Sequence, residues 1–168
     1  RYATDQSGTW ENEAMASDAW SPSLTVDSTG QVHVVYGYYD GLHHASGQAG
    51  DWERQLIDIE GSAGGCSITI GPGDEPHVAF VNEHGVDDVA VRYGYRADGQ
   101  WYYEDVDRIW GSYLDTDIAL DESGAAYVLV SNDFYDSWWL SELIYASNYY
   151  GVWLSGNVGP REDVGRYT

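Results

Sequence analysis

Tyr93-Gly94-Tyr95-Arg96-Ala97-Asp98-Gly99-Gln100-Trp101 is the stretch whose form decides the fold, because the chain writes it four times. Its pattern is Tyr or His, a small residue, four residues of any type, Gly, any residue, Trp. The other copies are Tyr2-Ala3…Gly8-Thr9-Trp10, His44-Ala45…Gly50-Asp51-Trp52 and Tyr145-Ala146…Gly151-Val152-Trp153. The interval from ring to Trp stays at eight residues, while the Trp residues lie 42, 49 and 52 positions apart. An interval held constant across variable spacers marks an internal repeat. A period of about 40–50 residues belongs to arrays of small supersecondary units.

A second block precedes each of the last three copies. It reads Ser23-Leu24-Thr25-Val26-Asp27-Ser28-Thr29-Gly30-Gln31-Val32-His33-Val34-Val35-Tyr36 in the first. The second runs from Ser67-Ile68-Thr69-Ile70 to Pro76-His77-Val78-Ala79-Phe80, and the third from Asp117-Ile118-Ala119-Leu120 to Ala126-Tyr127-Val128-Leu129-Val130. Each is apolar alternation, a four-residue turn, then apolar alternation again. Period two means half-buried strand. Asp or Gly opening the turn and Gly or Asp closing it is tight-hairpin chemistry, because these residues tolerate positive φ or bond their own backbone. Each unit therefore has four antiparallel strands: A (23–26), B (32–36), C (42–45) and D (52–57) in the first unit. Such a unit is one blade of a β-propeller. No stretch carries apolar residues at helical spacing, and β-branched and aromatic residues dominate, so the fold class is all-β. The recurring Trp and Tyr are expected to pack between blades, since packing must recur in every unit.

Ser23…His33-Val34…Leu42…Ala45…Trp52 and Ser67…Pro76-His77-Val78…Tyr93…Trp101 resemble a broad group of bacterial β-propeller repeat proteins. Asp5-Gln6-Ser7-Gly8-Thr9-Trp10 also resembles a degenerate Asp-box of sialidase-like propellers, with Ala3 in place of its Ser and Ser7 in place of a Gly. In those proteins the box is a structural turn, so the likeness implies architecture and not sialidase chemistry. Propellers of this kind serve as lectins, adhesins and enzyme scaffolds, and the resemblance does not choose among them.

The chain reads as a single propeller segment over 1–168. Residues 1–20 supply strands C and D of a partial blade; complete blades follow at 21–65, 66–115 and 116–159, and 160–168 is a connector. Closed propellers typically have about four to eight blades, so this reading is an incomplete ring. It implies additional blades, from a second copy, from a companion chain or from a longer parent of which this is a fragment, because an open arc exposes two blade faces.

The formal charge is −21, and all seven basic residues are Arg. Such acidity argues against nucleic acid and anionic membranes as partners, since phosphate contacts need cations. It suits an extracellular or secreted protein, including one from a high-salt environment. No run of eighteen apolar residues is present, so no membrane span is expected. The lone Cys66, after Gly64-Gly65, reads as a buried, inert thiol.

In a four-strand meander the B–C loops and D–A connectors share one face. The A–B and C–D turns at the other face are short and repetitive. Variable loops on a rigid scaffold carry function. The B–C loops read 37–41, 81–88 and 131–139, and the connectors add Asp18, Trp20, Trp110, Tyr113 and Asp115. This face combines carboxylates with rings that the repeat does not require. Sugars stack C–H faces on aromatic rings while carboxylates and amides take their hydroxyls, so the expected ligand is a carbohydrate. The candidate ligand-binding residues are Tyr38, Asp40, Asp87, Trp110, Asp133, Tyr135, Asp136 and Trp138.

The main functional expectation is a lectin or adhesion module. A fragment of a propeller glycosidase or polysaccharide lyase, and a self-assembling structural fragment, are the alternatives. Catalytic residues are not identifiable: paired carboxylates for glycoside cleavage must stand about 5–10 Å apart, and the sequence has too many acids to single out a pair. No motif calls for a cofactor. Asp87, Asp88, Asp133 and Asp136 with Asn82 and Asn132 offer oxygens that suit Ca²⁺, without a fixed-spacing loop. His33 and His77 take equivalent strand-B positions, which favours packed, hydrogen-bonded imidazoles over metal ligands.

Overall fold

The alternating segments become strand throughout, and the turns become hairpins. The computed structural model describes residues 1–58, 61–85, 88–109, 112–134 and 140–158. A two-stranded sheet, β1 (Tyr2–Thr4) and β2 (Glu11–Glu13), is followed by three four-stranded sheets. The first comprises β3 (Trp20–Val26), β4 (Val32–Tyr38), β5 (Gly41–Gln48) and β6 (Asp51–Asp58). The second comprises β7 (Ser62–Ile70), β8 (Pro76–Gly85), β9 (Asp88–Ala97) and β10 (Gln100–Ile109). The third comprises β11 (Ser112–Leu120), β12 (Ala126–Phe134), β13 (Leu140–Ser147) and β14 (Leu154–Asn157). Every sheet is an antiparallel meander in chain order. The first strands stand side by side, β7 against both β3 and β11. This is the incomplete β-propeller expected from the repeat: three four-stranded blades and half of another, with no helix among the described residues.

The repeated Gly of the Trp motif has a backbone reason. Gly8, Gly50, Gly99 and Gly151 have φ of 84°, 84°, 78° and 78°. The C–D turn puts this residue in the left-handed region, where a Cβ is disfavoured. The A–B turns close as the sequence predicts, with Gly30, Asp74 and Gly124 donating to the carbonyls of Asp27, Gly71 and Asp121 at 3.0–3.1 Å.

The core lies in the seams between sheets. Tyr2, Val34, Tyr36 and Ala45 pack between the two-stranded sheet and the first blade. Val35, Leu42, Ile68, Val78 and Phe80 fill the next seam, and Ala79, Val91, Ile118, Val128 and Ile144 the third. Each seam is closed on its outer side by one ring pair. Tyr2 meets Trp52 edge-on at 5.0 Å, His44 meets Trp101 at 5.1 Å, and Tyr93 meets Trp153 at 5.2 Å. The ring always comes from strand C of one blade and the Trp from the start of strand D of the next. Two of these indoles also donate to an acid three residues past the preceding Trp: Trp52 Nε1 to Glu13 Oε1 at 2.5 Å, and Trp153 Nε1 to Glu104 Oε1 at 2.8 Å. In the middle seam Gln55 holds that position. There, Trp101 Nε1 and Gln55 Oε1 are both buried without a partner among the described residues.

In each four-stranded blade a strand-B ring, held by an A–B turn acid, stands behind the strand-C ring. His33 bonds Asp27 and His44, His77 bonds Glu75 and Tyr93, and Tyr127 bonds Asp121 and lies beside Tyr145. The equivalent histidines are thus packed and hydrogen-bonded within the blade. The inner strands share a device the sequence does not announce. β3, β7 and β11 each carry a register break near their start, and Ser21 and Gly65 there have φ of 46° and 47°. Carbonyls at two of these bulges accept from the next blade: Ser21 O from Cys66 Sγ at 2.7 Å, Gly65 O from Thr116 Oγ1 at 2.5 Å. Cys66 is buried, as expected, and burial pushes its thiol up to about 12.

Candidate functional site: the B–C end of the first blade

The strands run longer than the alternation suggests, and the B–C loops shrink accordingly. Tyr38 pairs with Gly41, leaving Tyr39-Asp40 as a two-residue tip. In the second blade β8 continues through Asn82 and Glu83 to Gly85, which pairs with Asp88. Polar side chains made this stretch look like loop; ladder pairing continues because Asn82 is fully buried and donates to Asp58 Oδ2 at 2.9 Å.

At the tip of the first blade, rings converge from three strands. Trp20 opens β3, and Tyr38 closes β4 in a near-parallel arrangement with it, 6.2 Å away and 9° off plane. Tyr39 meets Trp20 edge-on at 4.9 Å and Tyr38 at 5.8 Å. His43 of β5 lies 5.7 Å from Tyr38 and stacks on Tyr36 at 5.4 Å. His43 Nε2 and Asp40 Oδ1 are 2.7 Å apart, which orients the exposed carboxylate beside the rings. The indole lies over glycines on two blades. A Cβ at Gly64 would come within 2.9 Å of Trp20 Nε1, and one at Gly37 within 2.6 Å. Trp20 and Tyr38 are half-buried, Tyr39 and Asp40 exposed. The result is an aromatic shelf with a carboxylate at its edge, built across the seam of the first two blades.

A charged cluster lies in the same seam. The Asp58 carboxylate, fully buried, accepts from Arg92 Nη1 at 2.6 Å and from Asn82 Nδ2, while Arg92 Nε donates to Asp105 at 2.9 Å. The Arg92 guanidinium also stands over the Tyr103 ring at 5.2 Å. Burial alone would raise the Asp105 carboxyl, but the Arg92 and Arg108 guanidiniums hold it below the usual range. The Asp58–Arg92 pair is enclosed, with Asp58 1% exposed and Arg92 4%.

Of the residues the sequence singles out, Tyr38 and Asp40 come together here. Asp133 is placed on β12 by its pairing with Ser112 and Ser141. Asp87, Trp110, Tyr135, Asp136 and Trp138 lie outside the described residues. Trp20, Tyr39 and His43 complete the shelf; in the sequence Trp20 stands out only as part of a connector. At the opposite end of the same blade a groove of about 540 Å³ is lined by Thr29, Gln31, Ser46, Gln48, Asp51 and Glu53. It is polar and belongs to the repeated turns, with no ring on its wall, so the shelf is the stronger candidate. Among the described residues no group of three or more His, Cys, Asp or Glu is placed to hold a metal ion, and no helix is long and apolar enough to cross a membrane.

No family model matches the chain, and no curated protein matches it. Among solved structures it is similar to a fucose lectin from Kordia zhangzhouensis in complex with methyl-fucoside, with a TM-score of 0.58. Identity is 15%, over 81% of this chain and 97% of that chain. The likeness is one of fold.

Proposed function

We propose that this chain is a glycan-binding module of lectin or adhesion type, acting outside the cell, with its sugar seated on the B–C end of the first blade. The observation that carries this reading is the convergence of Trp20, Tyr38 and Tyr39 beside Asp40, none of which the repeat requires. Half-exposed rings offer flat faces for the C–H side of a pyranose. Asp40, oriented by His43, offers acceptors for its hydroxyls. The similar fold of a fucose lectin supports a carbohydrate as the ligand class. The other residues the sequence singles out, Asp87, Trp110, Asp133, Tyr135, Asp136 and Trp138, are proposed to extend the contact to further sugar units.

A glycan array, run with and without Ca²⁺ and followed by calorimetry on the best ligand and on methyl-fucoside, tests this. Trp20→Ala, Tyr38→Ala and Asp40→Asn should each weaken binding about tenfold or more, equivalent to about 1.4 kcal/mol, with Asp40→Asn leaving the urea midpoint unchanged. An array without binders, or affinity untouched by all three substitutions, would overturn the reading.

A further inference from the structure

We infer that this chain associates head to tail with a second copy of itself, Tyr145 of one copy taking Trp10 of the next. Three seams within the chain define what such a contact looks like. In each, a strand-C ring is covered by the Trp of the following blade, and the covered rings Tyr2, His44 and Tyr93 are 9%, 1% and 5% exposed. Tyr145 is the fourth ring of the set, backed by Tyr127 and Asp121 as His44 and Tyr93 are by their own strand-B rings, and it is 41% exposed. Trp10 is the fourth indole and is 74% exposed.

The surroundings are matched as well. Tyr145 pairs across the ladder with Leu129 and Gly156, and Leu154 lies two residues from Gly156, so Leu129, Tyr145 and Leu154 share one face. That apolar face is open. On the two-stranded sheet, Tyr2 and Glu13 are directly paired and turn toward the first blade. Strand alternation puts Ala3 and Asn12 on the other face, and Trp10, immediately before β2, has the same parity as Asn12. Each surface thus carries one member of a ring pair the chain already makes three times, and the two members are complementary rather than alike. A contact of this kind is heterologous, giving a ring where its rotation closes. The seam between copies would join outer strands, and it lacks one bond: the acid position after Trp153 is Gly156, where an added Cβ meets nothing within 4 Å.

Sedimentation equilibrium and light scattering of the full chain test this. The wild type should show a reversible assembly whose mass is a whole multiple of 18.7 kDa. Trp10→Ala and Tyr145→Ala should each abolish it, with circular dichroism reporting an unchanged sheet signal, while Tyr145→Phe retains it. Mixing the two alanine variants should restore a heterodimer through the one intact seam. Gly156→Glu should tighten wild-type association severalfold by supplying the indole's missing acceptor. A monomer at all concentrations, assembly indifferent to both alanine variants, or a mixture that stays monomeric would overturn the inference. None of these readouts depends on glycan binding.

Discussion

His44 stands where the other three repeats place tyrosine, and the difference has a cost that pH reveals. Burial, with His33 and Arg96 nearby, pulls its imidazole down to about 3, so it is neutral in the folded chain. In the unfolded chain it titrates near 6.5. The unfolded state therefore binds the proton first, and the contribution is fully present above about pH 6.5 and is lost as pH falls toward about 3. His77, lowered by burial against the opposing pull of Glu75, acts with the same sign. His44→Tyr copies the pairing seen in the second blade, where the Tyr93 hydroxyl meets His77 Nδ1 at 2.6 Å. The variant should lose less stability than the wild type between pH 6.5 and 4, read as the difference in urea midpoints. The Asp27 carboxyl adds a lower window. Burial would raise it, but the Thr29 hydroxyl, the Gln31 N–H, His33 and the Thr29 N–H hold it at about 2, so its share disappears only between about pH 4 and 2.

At the scale of strands, Gly37 ties blade packing to the candidate site. A Cβ there would overlap the Ala63 carbonyl oxygen of the next blade and crowd Trp20 Nε1. Gly37→Ala should cost about 1–3 kcal/mol, the usual range for overpacking a tight site. It should also change the near-ultraviolet dichroism of the shelf and weaken glycan binding, whereas Gly156→Ala, at an open position, should do neither. The blade count was legible because seam packing repeats and writes the same ring and indole four times. Strand ends were not: Asn82 looks like loop chemistry, and only its partner Asp58, 24 residues earlier, makes it a buried ladder residue. The inner-strand bulge was invisible because Ser21 carries no signal for a positive φ. The shelf was half legible. Tyr38 and Asp40 stand out as a ring and a carboxylate beyond the repeat, while Trp20 joins them through Gly37 and Gly64 on two blades, a long-range match that local pattern does not encode.

For the whole molecule, charge and shape pull in opposite directions. A chain of net charge −21 repels its own copies, while the rings exposed at the two ends, Tyr145 and Trp10, offer uncharged packing. Salt screens the repulsion over about 8–10 Å near physiological strength and leaves ring packing intact. Association should therefore strengthen between 50 mM and 500 mM salt, measured by sedimentation; a weakening would mean that ion pairs and not rings join the copies. The bond from Cys66 to the Ser21 carbonyl has a consequence of another kind. With a single cysteine in the chain, locked at the hub between two blades and far from ionising at pH 8, a thiol-reactive dye can attach only while those blades stand apart. The protein thus carries its own clock, and the pace of labelling counts how often its innermost joint comes undone.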